Sequence, residues 1–328
     1  MKKLIVIGII ILLVGMSIPS TGINVEKSTA SYDGNIFYVG GSGPGNYTKI
    51  QDAINDSSKG DTVFVYNGTF NENVKINRRI SLVGEDKNNT IIDGGKKECT
   101  IVLQWDRVNI SGFTICNSGT KSENAGIDVY LGYRTNIFDN IIESNWAGIY
   151  LYCTEFCNIE NNIISKNKYG ILTAGFEMIG ECWCNNISKN IISKNTKVGI
   201  YIGPQSFGEE ISNNTLFLNR VGIKIDYIWS SYLGNIIQRN NITKNLYGLI
   251  SYPTDVIITQ NNFIKNIRHA LCRSPFFENY KGTVFIDNYW GKPRNNPYLI
   301  PSRTGFIFDI IPWIPHFDMN PSEEPYDI

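Results

Sequence analysis

The sequence predicts an all-β chain, a single-stranded right-handed parallel β-helix of about ten coils with a short N-terminal capping helix and a Pro-rich C-terminal cap. Two observations predict it. The first is a repeat, Asn-x-aliphatic-x-x-Asn followed by Gly and an aliphatic residue. Its first asparagines are Asn140, Asn162, Asn190, Asn214, Asn240 and Asn261, and its second are Asn145, Asn167, Asn195, Asn219, Asn245 and Asn266. The steps between first asparagines are 22, 28, 24, 26 and 21 residues (162−140, 190−162, 214−190, 240−214, 261−240), a fixed unit with insertions, and repeats of that length mark a solenoid. The second observation is that each unit holds two short β-rich runs bounded by Asn and Gly and no long segment of 3.6 periodicity, which excludes helical repeats.

The repeat also assigns positions within a coil. Two residues after each first Asn stand Ile142, Ile164, Ile192, Leu216, Ile242 and Phe263. After each second Asn come Gly148, Gly170, Gly199, Gly222, Gly248 and finally Ala270, each followed by an aliphatic residue, Ile149 through Leu271. Equivalent residues of successive coils lie about 4.8 Å apart, so the aliphatic rows are expected to stack inside. The Asn rows are expected at the corners, where amides can bond from coil to coil and where Asn tolerates the left-handed conformation of a sharp turn. These rows are read as structural, with no catalytic residue among them.

Taken in order, the chain opens with Met1-Lys2-Lys3 and an apolar run from Leu4 to Ile18, the pattern of a secretory signal over 1–22. An uncleaved anchor is the alternative, although 15 apolar residues (18−4+1) are short for a membrane span. Residues 23–60 are expected to supply a first strand, Ile36 to Val39, and a capping helix. There Thr48-Lys49-Ile50-Gln51 fits a capping box, and Ile50, Ala53 and Ile54 share one face. Strands then begin at Asp61 and continue to Gly291, with Gly112 taken as the first-Asn position of an early unit. From 292 to 328 seven prolines argue against further central strands, and the tail reads as the second cap.

Composition narrows the function. Lys plus Arg and Asp plus Glu number 30 each, so no basic excess points to nucleic acid. With the leader removed, no membrane span is expected. Seven cysteines in an exported chain permit disulfides. Cys157 directly precedes Asn158 and Cys184 directly precedes Asn185, so repeat alignment puts Cys157 and Cys184 on adjacent coils, with Cys153 and Cys182 as a second pair beside them. A four-cysteine zinc site has the same count, but the spacing of Cys182 and Cys184 lacks the usual C-x2-C.

Several runs together resemble a known family. They are Ile50-Gln51-Asp52-Ala53-Ile54, Gly60-Asp61-Thr62-Val63, Glu72-Asn73-Val74, Ile80-Ser81-Leu82-Val83-Gly84 and Thr90-Ile91-Ile92-Asp93-Gly94. They look like the N-terminal half of NosD-like proteins, exported right-handed parallel β-helices built of PbH1 repeats and related to carbohydrate-binding proteins and sugar hydrolases. Asn288-Tyr289-Trp290-Gly291 resembles the signature with which many archaeal surface members finish the helix. The resemblance implies the fold over nearly the whole mature chain, a secreted or cell-surface location, and a family name tied to copper supply.

The residues give copper little support. The chain has two histidines, His269 and His316, and beyond the leader two methionines, Met178 and Met319, and these form no short ligand cluster. No metal and no cofactor are expected. Hydrolysis of a glycosidic bond needs two flanking carboxylates. Glu209-Glu210 and Glu323-Glu324 are read as solvated surface, so no catalytic residue is assigned. What remains is the outward face beside the Gly rows, because alternate residues of a strand point out. Asp128, Tyr150, Tyr201 and Lys224 lie two residues after the glycines, and Tyr130, Tyr152, Asp226 and Tyr252 lie four after. Tyrosines with interspersed charges on a flat face can stack sugar rings and bond hydroxyls. The expected function is non-catalytic binding of a polysaccharide or cell-envelope glycan, bordered by the insertions 174–182 and 226–233. The alternatives are a carbohydrate-active enzyme and, with least support, copper handling.

Overall fold

The computed structural model describes residues 34–176, 179–226, 233–252, 255–274, 282–294, 296–304 and 316–328. The expected leader, 1–22, lies outside the described residues, as does most of the insertion 226–233. The described residues belong to one of the chain's two units, Asp33–Ile328. There the chain winds as a parallel β-solenoid, each full coil giving one strand to each of three sheets of thirteen, ten and nine strands. Pairing is parallel coil upon coil, as in Ile142↔Ile164↔Ile192 and Ile149↔Ile171↔Ile200. Every one of these isoleucines is fully buried, because only this register turns all the aliphatic rows inward together.

The asparagines hold the corners, with a difference in how. Asn162 Oδ1 accepts both the backbone N–H and the side-chain amide of Asn140 at 3.1 Å, while Asn140 Nδ2 also donates to the Ile110 carbonyl at 3.0 Å. The pattern repeats to Asn261 and runs on through Asn288 to Asp318, whose Oδ2 accepts from Asn288 N, Asn288 Nδ2 and Trp290 Nε1 at 2.9, 3.1 and 3.0 Å. A carboxylate suits this last rung, which has only to accept. The left-handed residue is the one before each Asn, for example Asp139 and Asn161 near +55° and +58° and Ser144 and Lys166 near +60° and +56°. The Asn itself is therefore selected for its bonding, not its backbone. By the same register Gly112, at φ 82°, fills the left-handed position, and Phe113 takes the rung expected for it, its N–H donating to Asn140 Oδ1 at 3.1 Å. The row glycines are needed for close approach: a Cβ on Gly170 would stand 2.4 Å from the Gly199 carbonyl oxygen.

Both ends are closed. The helix α1 (Ile50–Asp56) buries Ile50, Ala53 and Ile54 against the first coil. The expected capping box does not form. Lys49 is the N-cap without a side-chain bond, and Glu72 instead accepts from Ile50 N and Gln51 N at 2.9 and 3.1 Å, placing a carboxylate on the helix start. At the other end Trp290 is stacked between Phe263 and Tyr298, at 4.5 and 4.2 Å between ring centroids. The Pro-containing tail caps by adding strands: Ser302–Thr304 pairs with Arg268–Ser274, and His316–Asp318 pairs with Thr283–Ile286 and Tyr298–Ile300. The last repeat is shifted by one from the sequence alignment. Ala270 pairs with Leu249, so His269 takes the glycine position and Leu271 joins the outward row.

A one-residue slip also overturns the expected disulfides. Asn158 pairs with Asn186 and Glu155 with Trp183, so Cys157 lies opposite Asn185, and Cys184 opposite Phe156. The Cys157 N–H donates to Asn185 Oδ1 at 2.9 Å. Likewise Cys153 falls opposite Glu181, and Cys182 opposite Thr154. All seven cysteines are free thiols. Because side chains alternate in direction along the chain, a slip of one residue sends paired cysteines to different faces.

Candidate functional site

The outer face of the ten-stranded sheet brings the predicted residues into two clusters. Strand pairing aligns Asp128, Tyr150, Leu172, Tyr201, Lys224 and Ile250 in one row, and Tyr130, Tyr152 and Ala174 in the next. In the first cluster the Tyr130 and Tyr152 rings lie parallel, 5.6 Å between centroids and 12° apart, with Tyr150 edge-on to Tyr152 at 5.6 Å. Tyr150 is itself buried, packed with Ala125, Ala147 and Leu172 in a small apolar cluster separate from the main core. In the second cluster Tyr201 donates its hydroxyl proton to Asp226 Oδ2, and Lys224 pairs with the same carboxylate at 3.2 Å. The Lys224 ammonium also lies over the rings of Tyr201 and Tyr252, at 4.4 and 5.1 Å.

Sequence reasoning missed two residues that pack against the same small apolar cluster as Tyr152 and Tyr201. Trp146 and Tyr169 stand 5.1 Å apart, and Tyr169 stacks on Tyr201 at 6.1 Å, so one aromatic run crosses three coils. They sit two and one residues before the row glycines, positions that a reading of residues two and four after glycine passes over. A shallow groove of about 300 Å³ beside Tyr130 adds Gln104, Trp105, Asp106 and Leu131, with Trp105 52% exposed. A larger hollow, about 410 Å³, opens at the C-terminal coils beside Arg268, His269 and Tyr298, but among the described residues its walls contain no carboxylate and none of the residues predicted to bind a ligand.

Burial tunes the acids. Asp128, on a largely apolar stretch of the face, is pushed up to about 7 by desolvation and, second, by the negative charge of Glu123. Glu209, expected on the surface, is fully buried, while its neighbour Glu210 is exposed. It occupies a corner rung of a short third ladder. Its Oε1 accepts from Asn185 Nδ2 at 2.9 Å, its N–H donates to Asn235 Oδ1 at 2.8 Å, and its Oε2 has no partner among the described residues. Burial pushes this carboxyl up to about 8, with the Asn185 bonds acting in the opposite direction.

A parallel β-solenoid with sealed ends and an aromatic outer face defines the class of protein. The chain belongs to the NosD family, described as periplasmic copper-binding protein, whose pattern matches residues 54–300. The structure is similar to XylC in complex with xylose, with a TM-score of 0.63 and 12% identity, covering 82% of this chain and 71% of that one. It is also similar to the Dettilon tailspike protein, with a TM-score of 0.51 and 14% identity, covering 78% and 61%. At these identities the likeness is one of fold. No curated protein matches the chain significantly.

The family description makes copper a question for the donor set. Among the described residues no three His, Cys, Asp or Glu side chains converge as metal ligands. Burial pushes the thiols of Cys157, Cys182 and Cys272 up to about 12, which opposes the thiolate a soft metal needs. His269 is packed edge-on to Trp290 and Tyr298, with Nδ1 against the Asn266 amide at 3.4 Å. Met178 lies outside the described residues. The described side chains do not make up a copper site.

Proposed function

We propose that the chain is an exported, non-catalytic β-helix protein that binds a polysaccharide or cell-envelope glycan on the outer face of its ten-stranded sheet. One observation carries the reading. The run Trp146, Tyr169 and Tyr201, and Tyr152 with Tyr130 stacked on it, share one face across several coils, with Trp146, Tyr152, Tyr169 and Tyr201 all packed against one small apolar cluster. Aromatic rings with a polar edge are suited to ligands that present both apolar faces and hydroxyl groups, and a contiguous patch calls for a partner where scattered exposed residues do not. The Lys224 and Asp226 pair offers a donor and an acceptor for hydroxyls at the edge of the run.

The test is retention on immobilised polysaccharides by the parent and by Tyr130→Ala/Tyr152→Ala/Tyr201→Ala, with circular dichroism to show that both are folded. Loss of retention in the folded variant is expected. Equal retention shows that the face is only scaffold.

A second reading, a carbohydrate-active enzyme, is favoured by Asp128. A carboxyl near 7 beside the negative charge of Glu123 has the protonation a general acid needs at neutral pH. Turnover of a polysaccharide panel that is abolished by Asp128→Asn would decide for it. Bound but unchanged polymer decides for the first reading.

A further inference from the structure

The aromatic face carries a row of cations that glycan stacking alone does not require. Two residues before the row glycines, Trp146 is followed on the next coils by Lys168, Lys197 and Arg220. Their chain neighbours Ala147, Tyr169, Val198 and Val221 pair in register, so the three basic residues stack at the strand spacing, about 4.8 Å. Lys168 Nζ lies 5.2 Å from the Trp146 ring centroid, and Lys197 Nζ lies 5.8 Å from that of Tyr169. Further along the same face Arg268 lies over Tyr247 at 5.6 Å. Among the described residues Lys168, Lys197, Arg220 and Arg268 have no carboxylate within ion-pair distance, whereas Lys224 has Asp226.

Stacked like charges repel, weakly where solvent and salt screen them, and among the described residues no carboxylate neutralises the three. Ring contact holds two of the ammonium groups against the face beside the very rings proposed to bind sugar. A ligand touching both the ring row and the cation row must extend across the coils, and its charge must be negative. Resting on the glycan reading, we propose that the ligand is an anionic polysaccharide of the polyuronate class, laid across the coils with carboxylates at Lys168, Lys197 and Arg220 and sugar rings on Trp146, Tyr169 and Tyr201.

The experiment compares binding of polygalacturonate, the same polymer with its carboxyl groups reduced to alcohols, and vesicles of anionic phospholipid. The parent is set beside Lys168→Gln/Lys197→Gln/Arg220→Gln. Three exposed charge pairs, each worth a few-fold, predict roughly tenfold weaker binding of polygalacturonate by the variant. The reduced polymer should bind the parent about as weakly, and added salt should weaken only the charged polymer. Because all three side chains are at the surface, the variant should keep the parent's unfolding midpoint. If it does not, the single variant Lys197→Gln, with a loss of about two- to threefold, serves in its place. Equal binding of native and reduced polymer, still lost on removing Tyr130, Tyr152 and Tyr201, overturns the anionic assignment and leaves the glycan reading standing. Binding of neither polymer overturns both. Capture by vesicles without binding of polygalacturonate assigns the cation row to a membrane surface and overturns the proposal.

Discussion

Replacing Glu209 by Gln should stabilise the protein above neutral pH, although it changes a fully buried residue. In the short ladder, the flanking amides of Asn185 and Asn235 donate to the Thr154 and Ser206 carbonyls at 3.2 and 3.1 Å. Strand pairing puts Cys182 between these two positions, so by register the Cys182 carbonyl is the acceptor that residue 209 faces. A carboxylate has no proton to offer it, and Oε2 is the atom left without a partner. The folded state therefore holds the proton, and the carboxyl rises from its ordinary value of 4.5 to about 8. Between those values the folded protein binds more protons than the unfolded chain, so stability falls as pH rises from about 4.5 through about 8 and is level beyond. At about 1.36 kcal/mol per unit, the loss is on the order of 4–5 kcal/mol. Gln keeps the acceptor for Asn185, places N–H donors where Oε2 was, and does not titrate. Urea unfolding at pH 5 and pH 9 is the assay: the parent should lose stability between the two, and Glu209→Gln should lose less by roughly that amount and exceed the parent at pH 9. A variant that is less stable than the parent at pH 9, or that keeps the parent's full pH dependence, refutes the reasoning.

Two further outcomes follow from the core and the thiols. Ile164→Ala should cost about 2–5 kcal/mol by leaving a cavity. Asn167→Ala should cost about 1–3 kcal/mol, since it strips the acceptor from both Asn145 donors and the donor from the Ile142 carbonyl. Denaturation midpoints that show the Asn change harmless would deny the ladder its stabilising role. Alkylation in denaturant without reductant should modify seven cysteines. In the native protein the buried Cys157, Cys182 and Cys272, held protonated by burial, should react far more slowly than Cys99, Cys116 and Cys184. A mass lower by pairs of protons before alkylation contradicts this.

What could be read from the chain was what recurs. Ile142, Ile164 and Ile192 repeat with one chemistry at one offset, and burial follows because no other register hides them all. What could not be read was register wherever the repeat length changes. The step from Asn162 to Asn190 absorbs six more residues than the step before it (28−22), and an alignment one residue out placed Cys157 opposite Cys184 when it faces Asn185. Along that stretch a single step exchanges inside for outside, so small errors in counting become errors of environment. Glu209 shows the same effect. Read as half of a charged pair in a loop, it is instead a rung, because Cys182–Trp183 and Ser206–Phe207 pair across the insertions and turn the next residues into a corner. Trp146 and Tyr169 escaped notice for a different reason. They flank the glycine on its other side, and their closeness depends on ring directions that spacing does not encode.

The division of labour between core, corners and outer face decides which substitutions can test function at all. Isoleucine rows and amide ladders carry the fold, and both lie inside the coil wall, so outward residues contribute mainly through contacts with one another. Tyr150 is the exception among the predicted site residues. It is 8% exposed and packs with Ala125, Ala147 and Leu172 under the neighbouring rings, so removing it empties a small core and mixes a folding defect with any loss of binding. Tyr152 and Tyr201 lie over that cluster and Tyr130 stacks on Tyr152, each only half-buried. Truncating them removes ligand contacts while leaving the ladder and the main core intact, and the unfolding midpoint of that variant should stay closer to the parent's than that of Tyr150→Ala alone. The reverse order would mean that the exposed rings brace the solenoid, and retention assays on the triple variant would then have to be read as measurements of folding.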